Sequence, residues 1–188
     1  NGTVVSDGYN GINAYTLEST GVLSGSEVVL SARETRNSGF IQGADRLSFR
    51  QGQLENVGTL QAAEVSLNLS KLSNTGQINS VNGDIKATRL TNEGSIYAQS
   101  VLNLKVATHI ENKGEITAHD LGVDTHLLGN EGSIDSATAT YRIHTIDNSG
   151  RISSAGNQAL HYTTLSNTGE LIGNGLTLIG DETLNQGT

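Results

Sequence analysis

The sequence has no proline, cysteine, methionine or tryptophan, and aromatic residues make up only 4% of it. Without cysteine the chain forms no disulfide and has no thiol chemistry. Without proline every residue keeps a backbone N–H, which suits strands that donate to a ladder. No apolar run approaches the roughly 18 residues of a membrane-spanning helix. A chain so poor in bulky side chains is suited to a thin core.

Basic residues are also scarce, with 11 Lys and Arg against 19 Asp and Glu and a formal net charge of −8. We therefore expect no basic stripe that could neutralise phosphates, and nucleic acid is not a predicted partner. Phosphate-binding loops, nucleophile elbows, HExxH helices and EF-hands are missing. The composition favours a protein that is not an enzyme and that holds no cofactor.

What the sequence does contain is one short unit repeated about ten times. Segments 72–78 and 165–171 read LSNTGQI and LSNTGEL. The glycine of each unit recurs at a nearly constant interval, at Gly2, Gly21, Gly39, Gly58, Gly76, Gly94, Gly114, Gly132, Gly150, Gly169 and Gly187. We call these residues the anchor glycines, and we expect them to supply a corner with positive φ.

Other positions of the unit are equally regular. Two residues after each anchor the side chain is aliphatic, four after it is small, and four before it is usually Leu or Ile. Apolar and polar residues thus alternate, which is typical of β-strands. Two residues before the anchor stands an asparagine in nine units: Asn37, Asn56, Asn74, Asn92, Asn112, Asn130, Asn148, Asn167 and Asn185.

A unit this short buries its aliphatic face only if copies stack. We predict an all-β fold, a right-handed parallel β-helix (solenoid) of about ten turns of 18–20 residues, spaced about 4.8 Å apart. Stacking would turn the asparagines into a ladder of side-chain amides. We interpret residues 1–188 as one solenoid segment of a longer filament, with 1–16 as a less regular first turn.

Three acidic residues stand six positions after successive anchors: Glu27, Asp45 and Glu64. Stacked, they would form an acidic stripe, which could hold a cation or serve a β-helix polysaccharide-degrading enzyme. Solvated surface carboxylates are the alternative interpretation.

Two groups of residues are candidates for contact with a partner. The first is the arginine-rich stretch with Arg36, Arg46 and Arg50. The second lies in the unit from Gly114 to Gly132, where we expect an outward bulge that presents His119, Asp120, Asp124 and His126. The second group has residue types that ligate metals, but its spacing specifies no converging set, so we predict no metal site.

The pattern Leu-x-Asn-x-Gly-x-Ile-x-Ala, as it stands in 90–98, resembles the haemagglutinin repeats of filamentous haemagglutinin. It also resembles those of the exoproteins of contact-dependent growth inhibition. The resemblance covers essentially the whole chain. It implies a secreted filament on the surface of a Gram-negative cell, exported through an outer-membrane pore protein. The secretion signature of that family contains proline, so this chain is not its secretion domain.

Three functional hypotheses remain open from the sequence. The first is a rigid stalk that presents an adhesive or toxin-delivering region to other cells. The second is a module within the filament that binds a receptor or glycan on a target cell. The third is a polysaccharide-degrading enzyme.

Overall fold

The computed structural model describes residues 2–188, and Asn1 lies outside the described part. Within it every regular element is a β-strand. The strands are β1 (Thr3–Val5), β2 (Tyr9–Ser19), β3 (Val22–Asn37), β4 (Phe40–Phe49), β5 (Gln53–Asn56), β6 (Thr59–Asn68), β7 (Lys71–Asn74), β8 (Gln77–Asn92), β9 (Ser95–Asn112), β10 (Glu115–Asn130), β11 (Ser133–Asn148), β12 (Arg151–His161), β13 (Thr164–Asn167), β14 (Glu170–Ile179) and β15 (Glu182–Asn185). The described chain has no helix able to cross a membrane.

All strand pairs are parallel, and each turn pairs with the turns before and after it. In β10, Ile116 lies opposite Ile96 of β9 and Ile134 of β11. The register that the anchor glycines predicted is therefore the register of the ladder. An all-β parallel solenoid of about ten turns is confirmed. Its right-handed coiling stays a prediction.

Each complete turn consists of three straight segments. In β8 the ladder is continuous over 77–80, 82–87 and 89–92, and it is interrupted at Val81 and Thr88. We call these segments the first, second and third faces. They meet at a first corner (Val81 in this turn), a second corner (Thr88) and a glycine corner that contains the anchor (Gly94). Several turns, such as that of β4 and β5, are split into two strands at the second corner.

Alternating side chains from all three faces fill the bore. In the turn of β8 the buried aliphatic residues are Ile78 from the first face, Ile85 from the second and Leu90 from the third. Each fully buried Leu or Ile contributes roughly 1.5–3 kcal/mol relative to exposure. The buried columns on the first and third faces are the aliphatic positions two residues after and four residues before the anchor, which the repeat had shown. The second face adds columns that the anchors did not reveal, such as Ile85, Leu104 and Val123.

The anchor glycines are required for a reason other than the one the sequence suggested. Among the described residues, positive φ occurs only at Gly52, which is not an anchor. Instead, a Cβ on Gly94 would overlap the carbonyl oxygen of Gly76 directly below, and Gly114 has the same relation to Gly94. The prediction of a positive-φ corner is wrong. Close approach of stacked backbones is what excludes a side chain here.

The expected bulge between Gly114 and Gly132 is also misplaced. The extra residues belong to the preceding turn, whose anchors, Gly94 and Gly114, are the most widely separated pair in the chain. Gln99 and Ser100 at the first corner of β9 lie opposite the single residue His119 of β10. Ala107 and Thr108 at the second corner lie opposite His126. Insertions are accommodated at corners because the straight faces must keep their hydrogen-bonded register.

The first turn is built from two paired strands. Both β1 and β2 pair with β3, and Asp7 and Gly8 lie between them as a bend. Pairing resumes at Tyr9 opposite Glu27. Of the first turn that the sequence indicated at 1–16, only Asn1 lies outside the described residues.

Candidate functional site

The asparagine column forms a continuous chain of side-chain hydrogen bonds beside the glycine corner. The Nδ2 of Asn74 donates to the Oδ1 of Asn92 at 2.8 Å, and Asn92 donates in turn to Asn112 at 2.8 Å. The same Nδ2 of Asn74 lies 3.2 Å from the carbonyl oxygens of Gly76 and Ser95. These asparagines are buried. Each amide therefore hydrogen-bonds both to the backbone of its own glycine corner and to the next turn.

The same pattern runs the length of the rod. Successive donor–acceptor pairs are Asn37–Asn56, Asn56–Asn74, Asn74–Asn92, Asn92–Asn112, Asn112–Asn130, Asn130–Asn148, Asn148–Asn167 and Asn167–Asn185. Backbone bonds reinforce it, since the carbonyl of Asn56 accepts from the N–H of both Thr75 and Gly76. A buried amide with all these partners stabilises the turn, because leaving it unpaired would be costly.

The acidic stripe expected from Glu27, Asp45 and Glu64 is wrong. Arg46, not Asp45, lies between Glu27 and Glu64 in the ladder. The Nη2 of Arg46 is 2.8 Å from the Oε2 of Glu64. The hydrogen bond and then the charge of Glu64 raise the pKa of Arg46 above its usual value. Asp45 instead accepts a hydrogen bond from the Oγ of Ser26 at 2.6 Å. The three carboxylates therefore do not form a catalytic or cation-binding column.

The three arginines of the first candidate group do not form one patch. Arg46 lies on the second face and Arg36 on the third, where its Nη2 is 3.4 Å from the Oε1 of Glu55. Arg50 lies at the second corner, where its N–H donates to the carbonyl of Leu30. Both Arg36 and Arg46 are thus engaged by exposed carboxylates, and such surface pairs contribute little to stability.

The second candidate group is spread across one turn. His119 is at the first corner, Asp120 and Asp124 are on the second face, and His126 is at the second corner. Because a strand rises about 3.3 Å per residue, Asp120 and Asp124, four residues apart, are roughly 13 Å from each other. Within residues 2–188 no three His, Cys, Asp or Glu side chains are placed to hold a metal ion.

Each end of this group has its own local contacts. The Oγ1 of Thr138 donates to Asp120 at 2.5 Å, and this bond, together with the nearby His119, lowers the pKa of Asp120. At the other end the rings of His126 and His144 are stacked, with centroids 4.6 Å apart. His144 Nδ1 is also 2.9 Å from the Oγ1 of Thr163.

Stacking at the second corner also creates a feature that the sequence analysis missed. Lys86, Lys105 and Arg142 lie in one ladder column of the second face, with Asp124 between the last two. The absence of a basic stripe, expected from the overall charge, is therefore wrong. Lysines and arginines separated by one or two repeat periods are the signal that would have revealed it.

Two large polar side chains in the bore have buried atoms without hydrogen-bond partners. Tyr141 is fully buried, and neither its hydroxyl nor the amide of Gln158 has a hydrogen-bond partner. Burial, with a smaller effect of Asp135, raises the pKa of Tyr141 above its ordinary value.

The fold and its surface define a segment of a parallel β-solenoid rod with stacked asparagines and exposed charged columns. Compared with curated proteins, the chain is similar to a tRNA nuclease CdiA of Escherichia coli O6:K15:H31 (strain 536 / UPEC), with 29% identity over 196 residues. It is also 29% identical over 162 residues to a Toxin CdiA of Escherichia coli. The resemblance to exoproteins of contact-dependent growth inhibition is thereby confirmed.

The two similarities differ in how much of each chain they cover. The first covers 100% of this chain and 6% of the relative, and the second covers 79% and 5%. The chain thus spans a small fraction of the length of these relatives. No protein-family model and no solved structure matches the chain.

Proposed function

We propose that the chain is a rigid stalk segment of a bacterial cell-surface exoprotein filament. The observation that carries this proposal is the unbroken stacking from Asn37 to Asn185, in which every turn is bonded to the next through backbone and side-chain amides. A rod in which each turn is fixed to both neighbours resists bending and keeps its two ends at a fixed distance from each other.

The relatives support a place in a filament of this kind. Both carry the name CdiA, one as a tRNA nuclease and the other as a toxin, and both are far longer than the matched region. A stalk that presents a toxin-delivering or adhesive region to another cell fits a short solenoid segment of such a protein. Export through an outer-membrane pore protein and exposure on the Gram-negative surface belong to the same proposal.

The positions of the acidic residues favour the stalk over the polysaccharide-degrading enzyme. Glycoside hydrolysis requires two carboxyl groups facing one bond from defined distances. Here Glu64 is held by Arg46 and Asp45 by Ser26, and Arg46 separates Glu64 from Glu27. The proposed role is therefore mechanical rather than chemical.

A segment exchange in the full-length protein tests the stalk role. Residues 2–188 are replaced by the matching turns of the tRNA nuclease CdiA relative, which keep the number of turns but change most of the surface. Delivery of the protein's effect to target cells is then measured beside surface display by protease accessibility. A stalk predicts that delivery is retained, because length and stiffness are unchanged.

Loss of delivery with normal surface display would overturn the stalk proposal, because it would show that the surface of this segment is itself required. A second exchange, into turns of the same length taken from elsewhere in the parent filament, is the matched control. Both exchanges give the same result if the segment acts only as a spacer.

A further inference from the structure

A shallow groove follows the second corner from β6 to β11, and cationic side chains line one wall of it. Lys86, Lys105 and Arg142 are exposed and belong to one ladder column. The opposite wall carries the stacked His126 and His144. The floor is made of small buried residues such as Ala87 and Val106. We call this feature the basic groove.

Most of the positive charge in the basic groove is free to meet a ligand. Among residues 2–188, Lys105 and Arg142 take part in no ion pair, while Lys86 contacts Asp84 at 2.7 Å. Asp124 is the one carboxylate that lines the groove in the described chain.

Two further cations, Lys71 and Arg89, stack in a parallel column on the adjoining face. Lys71, Arg89 and His109 lie opposite one another at the start of the third face. The second corner is therefore flanked by cations on both sides, in a chain whose formal net charge is −8. At the glycine corner, by contrast, the cation Lys113 stands among glutamates, with Glu131 and Glu111 within ion-pair distance and Glu93 nearby.

We propose that the basic groove binds a linear polyuronate, a polysaccharide in which each sugar carries a carboxylate. Successive turns place their side chains about 4.8 Å apart along the axis. A sugar residue advances an extended polysaccharide by a similar distance. Carboxylates on two neighbouring sugars can therefore meet Lys86 and Lys105, and the carboxylate two sugars beyond Lys105 can meet Arg142, while the sugar between them faces Asp124. Lys and Arg donate charge-assisted hydrogen bonds to carboxylates. Hydroxyls on the corner, such as that of Thr88, can meet the sugar hydroxyls.

The groove favours a polyuronate over single-stranded nucleic acid. Binding of single strands relies on aromatic side chains that stack successive bases. In the described turns from Lys71 to His144 no exposed Phe, Tyr or Trp lies at the second corner, and the two rings there, His126 and His144, stack on each other. The inference is independent of the stalk role, since a spacer needs no ligand.

The test compares two double variants of the 188-residue chain that remove the same charge. Lys105→Gln/Arg142→Gln removes two groove cations, and Arg36→Gln/Arg46→Gln removes two cations on other faces. Binding of defined polygalacturonate oligosaccharides is measured by calorimetry, with neutral dextran, heparin, polyphosphate and oligodeoxythymidylate as comparison probes. Circular dichroism and the thermal midpoint establish that each variant is folded.

The proposal predicts saturable binding of polygalacturonate, weakened about tenfold or more in the groove variant and unchanged in the matched variant. No saturable binding by the parent chain would overturn it. Equal loss in both variants would also overturn it, because net charge alone would then be responsible. Equal or tighter binding of polyphosphate, heparin or oligodeoxythymidylate would also overturn it, because the groove would then be a site for polyanions in general.

Discussion

At the residue scale, two side-chain types hold the corner together for opposite reasons. Asparagine is there because its amide can donate upward and accept from below, as Asn92 does between Asn74 and Asn112. Glycine is there because any larger residue would collide with the turn beneath, as at Gly94 above Gly76. The two residues are separated by one position, so a single corner combines a bonding requirement with a steric one.

Asn92→Ala tests the bonding requirement. The change removes the Oδ1 that accepts from the Nδ2 of Asn74 and the Nδ2 that donates to the Oδ1 of Asn112, both in a buried column. We expect a loss of about 3 kcal/mol in local stability, read as faster amide hydrogen exchange in the adjoining turns. Asn82→Ala, at an exposed position of the second face, is the control. Equal exchange in both variants would contradict the ladder's role.

Gly94→Ala tests the steric requirement. The new methyl group must displace the stacked corner backbone, and we expect a loss of about 3 kcal/mol with a lower thermal midpoint. Gly129→Ala is the matched control, because a Cβ at Gly129 would meet no atom within 4 Å. That variant is expected to be unchanged or slightly more stable, since alanine restricts the unfolded chain. A tolerated Gly94→Ala would show that the corner can relax.

At the scale of one turn, the three faces differ in how well the sequence predicts them. The first and third faces lie close to an anchor along the chain, so their columns could be read directly. The second face is reached only after the first corner, where units differ in length. Counting six positions from Gly39 gives Asp45, but an extra corner residue places Arg46 in the column with Glu64. The acidic stripe failed for this reason.

The same displacement explains why the basic groove was missed. Lys105 follows Lys86 by one repeat period and Arg142 follows Lys105 by two, and the corner insertions in β9 hide their alignment. The φ of the anchor glycines was misjudged for a different reason. Sequence alone does not separate a glycine needed for its dihedral angles from one needed for close backbone contact.

The second face also contains a buried hydroxyl without a hydrogen-bond partner, that of Tyr141. Tyr141→Phe removes a buried hydroxyl without a partner, and we expect it to raise the free energy of unfolding by about 1 kcal/mol at neutral pH. Tyr97→Phe, on a more exposed ring, is the control. The free energies of unfolding of the two variants are compared by thermal unfolding at neutral pH. Destabilisation by Tyr141→Phe would mean that the hydroxyl has a partner.

The raised pKa of Tyr141 gives this residue a defined pH dependence. Below the pKa of an unfolded tyrosine, about 10, the hydroxyl is protonated in both states and adds no pH dependence; as pH rises from there toward the higher folded value, the unfolded chain ionises first and the free energy of unfolding falls. The parent chain should therefore lose stability above about pH 10 more steeply than Tyr141→Phe. Identical alkaline profiles would show that the hydroxyl can ionise in the folded rod.

At the scale of the whole molecule, stability is the sum of similar turns and their interfaces. A central turn touches only its two neighbours, so its removal lets the turns on either side meet in the same register. The fold class and number of turns could be predicted for this reason, since one unit and its period specify them. The partner could not, because it depends on which outward residues come together.

Deletion of residues 77–94 tests this modularity. It removes one complete unit and joins Gly76 to Ser95 with all columns preserved. We expect a folded rod with a nearly unchanged thermal midpoint, shorter by about 4.8 Å in small-angle X-ray scattering. Deletion of residues 77–85 removes half a unit and should unfold the adjoining turns. A similar outcome for both deletions would mean that register is not what stabilises the rod.

The asparagine side chains also have an electrical direction along the rod. In each of the eight hydrogen bonds between Asn37 and Asn185 the Nδ2 donates toward the following turn, so the dipoles of these amides point the same way. Aligned dipoles add, as they do along a helix. The column is therefore positive at its Asn185 end and negative at its Asn37 end, and it opposes the backbone N–H groups of the same corner, such as those of Thr75 and Gly76, which donate toward the preceding turn.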